Sequence, residues 1–187
     1  MSSIFITGIP TGGKSHLAKK LAVDLGLKLL DVDSLRKKMS EDPKLNSWIN
    51  FFFNLDEKQY YQTTTCDQQW QNIVNQSEAF WPTIRTEIQL CLNDGQYVFE
   101  GVNLLPHLVK ELHLKGAVLL GESSEQILER NKKDPRWGQT EELQIMEAEA
   151  FFSCEREKYR QEAEKYDFRW FENSNEAYQY LKELVLE

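Results

Sequence analysis

The segment Gly8–Ser15 constrains the fold of this chain more than any other feature. It reads Gly-Ile-Pro-Thr-Gly-Gly-Lys-Ser and matches the pattern G-x-x-x-x-G-K-[ST]. The β-branched and aromatic run Ile4–Ile6 precedes it and predicts a buried strand. From Lys14 onward leucines recur on one face until Gly26, which predicts a helix that ends at that glycine. A strand, a glycine-rich turn and a helix in this order are typical of the start of an α/β fold.

The residue types in this turn indicate a phosphate-binding loop. Glycines let the backbone curve around an anion, and the peptide N–H groups and the helix N-terminus supply positive charge. A lysine at this place reaches the β- and γ-phosphates of a nucleoside triphosphate, and the next hydroxyl binds Mg²⁺. We therefore expect ATP and Mg²⁺ to bind at Gly8, Gly12, Gly13, Lys14, Ser15 and His16.

Predicted strands and helices alternate along the remaining chain. This alternation predicts one α/β domain over residues 1–187, with a mostly parallel sheet covered by helices on both faces. Ligands of such sheets bind beyond the carboxyl ends of the strands. We expect that edge to carry Gly8, Asp33, Glu100 and Asn173.

Composition narrows the class of protein and its partners. The 187 residues are 41% hydrophobic and carry a net charge of −8, which argues against binding to nucleic acid or to an anionic membrane. No apolar run approaches the ~20 residues that a membrane span needs. The odd number of widely spaced cysteines, Cys66, Cys91 and Cys154, predicts no disulfide and favours the reducing cytoplasm, and the N-terminus has no signal-peptide pattern.

Two further segments strengthen the assignment to a class of phosphate-loop proteins. Residues 31–36 read Asp-Val-Asp-Ser-Leu-Arg, and residues 98–106 read Val-Phe-Glu-Gly-Val-Asn-Leu-Leu-Pro. Together with the phosphate loop they resemble the P-loop small-molecule kinases, which include nucleoside monophosphate kinases, shikimate and gluconate kinases and chloramphenicol phosphotransferase. Both segments are also similar to stretches of 2-phosphoglycerate kinase-like proteins.

The resemblance covers the chain in the order of its elements and implies an architecture. It implies the P-loop NTPase fold, a three-layer αβα sandwich with a five-stranded parallel sheet in the order 2-3-1-4-5. It also implies a helical substrate region, here residues 37–93, and a lid near residues 130–140.

Three carboxylates are candidates for catalysis or metal binding. Asp33 follows the second predicted strand, where a carboxylate can orient an acceptor hydroxyl or take its proton. The alternative is that Asp33 only caps the next helix. Asp31 is a second candidate that could face the magnesium ion. Glu100 ends the third predicted strand and could hold a magnesium-bound water or the substrate, although many relatives have Asp there.

Several cations and one amide complete the predicted site. The resemblance implies that Arg130 and Arg136 of the lid stack on adenine or clamp the transferred phosphoryl group, and arginine suits both tasks. Arg36 and Arg85 are weaker candidates for substrate binding, with surface ion pairs as the alternative. The resemblance implies that Asn173 lies in a loop beside the adenine. The alternative for this segment is that Ser174 only caps the helix that follows.

Two features leave alternatives open. The aromatic residues of the helical region indicate either a local core or a stacking pocket for a substrate; they are Trp48, Phe51, Phe52, Phe53, Tyr60, Tyr61 and Trp70. Residues 131–134 spell the N-K-x-D motif of GTPases, but a polar helix separates them from the preceding strand, so we interpret the match as a coincidence.

The sequence thus predicts an ATP-dependent phosphotransferase that acts on a small hydroxylated or phosphorylated metabolite. The catalytic residues are predicted to be Lys14, Asp33 and Arg136. The alternative is a nucleotide-binding protein with slow hydrolysis that acts through a protein partner.

Overall fold

A computed structural model of the chain describes residues 2–52 and 54–187. Its described residues form a five-stranded parallel sheet in the order β2-β3-β1-β4-β5, as predicted. The strands are β1 (Ile4–Gly8), β2 (Lys28–Asp31), β3 (Tyr97–Glu100), β4 (Lys115–Leu119) and β5 (Arg169–Phe171).

Helices connect the strands and cover both faces of the sheet. They are α1 (Lys14–Leu25), α2 (Arg36–Met39), α3 (Asn46–Ile49), α4 (Glu57–Thr63), α5 (Cys66–Asp94), α6 (Pro106–Val109), α7 (Ser124–Lys133), α8 (Glu141–Ala150), α9 (Arg156–Lys165) and α10 (Ser174–Leu186). Short 3-10 turns cover Val32–Leu35 and Lys110–Leu112, and a π-helical turn, Phe151–Glu155, joins α8 to α9.

Side chains of β1 show how the sheet divides the core. Ile4 and Ile6 pack on one face with residues of α1 and α10, whereas Phe5 packs on the other face with residues of α5 and α9. All three side chains are fully buried, as expected for a central strand covered on both faces. Each contributes about 1.5–3 kcal/mol of hydrophobic free energy.

The strand register brings the predicted functional residues to one edge. Ile6 of β1 lies opposite Glu100 of β3, and Glu100 in turn lies opposite Asp31 at the end of β2. Gly8 lies opposite Leu119 at the end of β4. The carboxyl ends of four neighbouring strands therefore surround the beginning of the phosphate loop.

The two longest helical segments have features that the sequence pattern does not specify. The sequence left open whether residues 67–93 form one helix or two, and α5 is one helix that contains Pro82. Thr65 and Gln68 form a capping box at its beginning. The pattern of residues 141–165 predicts one long polar helix, but the π-helical turn interrupts it. This turn inserts an extra residue and reorients the side chains around it.

The prediction that the chain has no disulfide is wrong. Cys66 at the start of α5 and Cys154 in the π-helical turn form a disulfide, with a Cα–Cα distance of 5.2 Å. The pair is separated by 88 residues in sequence, and only the packing of α5 against the π-helical turn brings it together. The cysteine pattern therefore gives no support for a reducing compartment. Cys91 is a free thiol.

Among residues 2–52 and 54–187, no helix combines the length and the apolar character that crossing a bilayer requires.

Removal of the disulfide should destabilise the fold. A cross-link over 88 residues restricts the unfolded chain, so we expect Cys66→Ser/Cys154→Ser to lower the free energy of unfolding by about 2–4 kcal/mol. Urea unfolding measures this change, with Cys91→Ser as the matched control. Equal stability of the double variant and the control would contradict the expectation.

Candidate functional site

The phosphate loop leaves β1 at a position that only glycine can occupy. Gly8 has a φ of 132°, and a Cβ on it would overlap the carbonyl oxygen of Leu119 in β4. Gly13 has a φ of 100° and is the N-cap of α1. Because Gly13 has no Cβ, its backbone can adopt this positive φ and lead into α1 without a steric clash. The loop is thus held against β4 with the N-terminus of α1 facing its concave side.

Lys14 is the buried cation of this loop. Its side chain is 6% exposed, and its Nζ donates a hydrogen bond to the carbonyl oxygen of Ile9 at 2.6 Å. Burial lowers the pKa of Lys14 to about 8, Glu100 opposes this shift and Arg136 adds to it. A bound polyphosphate would place negative charge beside the Lys14 ammonium group and would raise the pKa of Lys14 again.

Ser15 and Glu100 form the oxygen-rich part of the site. Glu100 is 4% exposed and lies close to the Ser15 side chain. Burial raises the pKa of Glu100, while the Lys14 cation and the Ser15 hydroxyl oppose that shift. A hydroxyl and a carboxylate at a phosphate loop are the hard oxygen donors that Mg²⁺ prefers. The donor set therefore fits Mg²⁺.

The two aspartates after β2 have different surroundings. The Asp31 carboxylate accepts a hydrogen bond from the backbone N–H of Asp33 at 2.9 Å, so Asp31 is the residue that caps the following turn. Asp33 points into a cavity, where its Oδ1 is buried and has no hydrogen-bond partner among the described residues. Arg36 lies 3.5 Å from this oxygen. The capping role that the sequence left open for Asp33 therefore belongs to Asp31.

The remaining predicted substrate and adenine residues separate into two groups. Arg36 lines the same cavity, and its guanidinium donates to Asn103 at 3.4 Å. Arg85 is exposed, lies 3.8 Å from Glu111 and does not line the cavity. Asn173 caps α10 and donates to Glu122. Neither Arg85 nor Asn173 lies in the two clefts described here.

Arg130 and Arg136 both reach the phosphate loop. Arg130 Nη1 donates to the carbonyl oxygen of Thr11 at 3.2 Å, so α7 is tied directly to the loop. Together with the loop these arginines enclose a cleft of about 250 Å³, the phosphate cleft. The residues that line it are Thr11, Gly13, Lys14, Ser15, His16, Arg130, Lys133, Asp134 and Arg136.

The N-K-x-D match has a structural role. Asn131 is fully buried in α7, and its Nδ2 donates to Glu147 Oε2 at 2.6 Å and to the carbonyl oxygen of Gln144. Glu147 also accepts from the backbone N–H of Gly138 at 3.1 Å. These bonds fasten the segment after α7 to α8, and the surroundings of Asn131 are not those of a guanine-reading loop.

A second, larger cavity adjoins the phosphate cleft and shares Lys14, Ser15 and Arg136 with it. We call it the acceptor cavity, and its volume is about 350 Å³. The described residues that line it are Pro10, Lys14, Ser15, Asp33, Arg36, Ile49, Phe52, Tyr60, Tyr61, Gln69, Ile73, Gln76, Glu100, Val102, Arg136, Trp137, Glu147, Phe151, Glu155 and Tyr159. Many of these are aromatic, including Phe52, Tyr60 and Tyr61 of the predicted aromatic group. Phe53 lies outside the described residues.

Sequence reasoning missed four amide and carboxyl side chains of this cavity, namely Gln69, Gln76, Glu147 and Glu155. Glu147 and Glu155 lie in a long polar segment with many glutamates, and the sequence does not distinguish the buried glutamates from the exposed ones. The apolar run Phe151–Phe152 within that segment was the available signal, because it marks the buried π-helical turn that carries Glu155.

The Glu155 carboxyl should make stability depend on pH. Burial raises its pKa from 4.5 to about 8, so the folded state holds a proton that the unfolded state releases. The free energy of unfolding should therefore fall as pH rises from about 5 to 8. Glu155→Gln should make this fall shallower in urea unfolding across that range. The same slope in both proteins would contradict the assignment.

Comparison with known proteins identifies the fold. No protein-family model and no curated protein matches the chain. Among solved structures, deoxyadenosine kinase from M. mycoides with bound dATP is 15% identical, with both chains covered completely and a TM-score of 0.54. Shikimate kinase from Acinetobacter baumannii in complex with shikimate is 14% identical, with 100% of this chain and 93% of that chain covered and a TM-score of 0.56.

A third structure, of a Thermus thermophilus protein, is 18% identical, with 100% of this chain and 97% of that chain covered and a TM-score of 0.53. All three likenesses extend over the whole chain, and two of these structures are kinases of small molecules. Together with the strand order and the phosphate loop, they show that this chain has the fold of the P-loop small-molecule kinases.

Proposed function

We propose that the protein is an ATP-dependent kinase that transfers the γ-phosphoryl group to a hydroxyl of a small molecule. One observation carries the proposal: Lys14 and Ser15 of the phosphate loop line the same cavity as Asp33. In that cavity Asp33 has a buried carboxylate oxygen without a hydrogen-bond partner among the described residues. A phosphate-binding loop beside an available base is the arrangement that phosphoryl transfer to a hydroxyl needs.

The phosphate cleft would hold the triphosphate of ATP. The loop N–H groups and the N-terminus of α1 bind its oxygens, and Lys14 turns from Ile9 toward the β- and γ-phosphates. Ser15 and Glu100 would hold Mg²⁺, directly or through water. When bound, Mg²⁺ neutralises phosphate charge and orients the oxygens.

Asp33 and the arginines would act on the acceptor side. The acceptor oxygen attacks the γ-phosphorus and forms the new P–O bond. The bond from that phosphorus to the bridging oxygen breaks, and its electron pair leaves with ADP. The hydroxyl proton passes to the Asp33 carboxylate, which Arg36 holds in place. Arg136 lines both cavities and would stabilise the charge on the transferred group.

Residues 130–140 would form the lid of this site. Arg130 connects α7 to the phosphate loop, and Glu147 fastens Gly138 to α8. Trp137 and Arg136 of this segment line the acceptor cavity, opposite residues of the helical region 37–93 such as Tyr61 and Gln69. The lid and the helical region together would exclude water, which limits hydrolysis of ATP.

Two substitutions test the roles of the loop and the base. Lys14→Ala removes charge stabilisation, and Asp33→Asn removes the proton acceptor, so each should lower kcat by at least about 100-fold. Circular dichroism should show an unchanged fold. Lys19→Ala is the matched control, because Lys19 is an exposed lysine of the same helix. Full turnover by both variants would exclude these roles.

Release of ADP separates a kinase from the alternative, a nucleotide-binding protein that acts through a protein partner. Three aromatic residues of the helical region, Phe52, Tyr60 and Tyr61, line the acceptor cavity beside the phosphate loop, which favours the kinase. We expect ADP release to rise at least about tenfold with a correct acceptor in a panel of hydroxylated metabolites. An identical low rate with every member of a broad panel would favour the alternative.

A further inference from the structure

Besides Oδ1 of Asp33, two oxygen atoms in the acceptor cavity have no hydrogen-bond partner among the described residues. They are Oε1 of Gln69 and Oε2 of Glu155. Both side chains are more than nine-tenths buried, with exposures of 6% and 7%, and both line the cavity. Buried polar atoms are normally paired, so these two oxygens indicate a ligand that completes them.

The orientation of Gln69 shows that the ligand must donate hydrogen bonds. Its Nε2 already donates to the carbonyl oxygen of Thr64 at 3.3 Å and to the Thr64 hydroxyl at 3.2 Å. The amide oxygen is therefore the atom left for a ligand, and an oxygen only accepts. By contrast, the neighbouring Gln76 is already paired, with Trp48 and Asn103.

The charges of the cavity favour a cationic donor. The cations among its described lining residues are Lys14, Arg36 and Arg136. Lys14 and Arg136 also line the phosphate cleft, and Arg36 lies 3.5 Å from Asp33. No cation of the described residues forms an ion pair with Glu147 or with Glu155. Lys14 is the protein cation whose charge acts on Glu155, and it would turn toward the phosphates of ATP. A ligand cation can then take its place as the counter-ion of Glu155.

Aromatic rings add a second attraction for a cation. Tyr60, Tyr61, Phe52 and Trp137 lie against one another, with ring centroids 5.3–5.9 Å apart. The faces of such rings carry negative electrostatic potential, and groups of them bind ammonium ions. The same rings would pack on the apolar part of the ligand.

We propose that the acceptor is a hydroxylated amine. Its ammonium group binds Glu155 Oε2 and Gln69 Oε1, and its hydroxyl reaches Asp33 beside the phosphate loop. This inference rests on the proposed function and narrows it, because it limits the acceptor to small molecules that carry both a hydroxyl and an amine.

Proton release gives the amine a specific signature. Burial raises the pKa of Glu155 to about 8, Lys14 opposes this shift and Glu147 adds to it, so the carboxyl is mostly protonated at neutral pH. An ammonium ion at hydrogen-bond distance stabilises the carboxylate, so the carboxyl loses its proton when the amine binds. A neutral ligand gives no such release.

Calorimetry tests the proposal without requiring catalysis. Ethanolamine, phenylethanolamine and glucosamine are each titrated at pH 7 beside their N-acetyl derivatives, in cacodylate and in MOPS buffer, which contain neither a hydroxylated amine nor phosphate and differ in their heats of ionisation. We expect at least one free amine to bind about tenfold or more tightly than its acetylated counterpart, with release of up to about one proton. The proposal is overturned if no free amine binds better than its derivative.

Substitutions of Glu155 and Gln69 test whether these two side chains cause the preference for free amines. Glu155→Gln, which keeps the shape of the side chain, should abolish both the preference and the proton release. Gln69→Met should weaken amine binding by about tenfold. Glu149→Gln is the matched control, because Glu149 is an exposed glutamate of α8. If circular dichroism shows that the variants fold and the preference persists in both, the assignment is wrong.

ADP release in the same panel separates this proposal from the one on which it rests. Amine binding without amine-stimulated ADP release would contradict the kinase and leave the amine site standing. ADP release stimulated only by neutral or phosphorylated acceptors would support the kinase and overturn the amine site.

Discussion

The close approach of the phosphate loop to β4 is the constraint on which the site depends. Gly8 lies so near the backbone of Leu119 that a side chain at this position would collide with it. This contact fixes where the loop leaves the sheet and directs the N-terminus of α1 toward the phosphate cleft. Lys14 is then buried beside Glu100, at the edge where β2 and β3 also end. The strand register and the loop therefore build the site together.

Local patterns were enough to predict most of the fold. The run Ile4–Ile6, the leucines of α1 and the stop at Gly26 are short-range signals, and the structure has each element where the pattern predicts it. The strand order came from the resemblance and is confirmed. The disulfide could not be predicted, because the cysteines meet only after α5 has packed against the π-helical turn.

The residues of the candidate site could be predicted where a sequence motif fixes their position. They could not be predicted where only the packing of distant helices brings them together. The loop residues, Asp33 and Glu100 follow directly from strand ends. Gln69 and Glu155 come from two distant helical segments, and their burial depends on a π-helical turn that no periodicity in the sequence shows. Arg85 and Asn173 look equally suitable in sequence, but one pairs with Glu111 and the other caps α10.

The central claim is that the loop binds the polyphosphate of a nucleotide, and titration calorimetry with Mg·ATP tests it most directly. The account predicts saturable binding at one site per chain, and loss of most of the affinity when Gly8→Val forces the loop away from β4 in a protein that still folds. Absence of any binding of ATP or GTP to well-folded protein in the presence of Mg²⁺ would contradict the account.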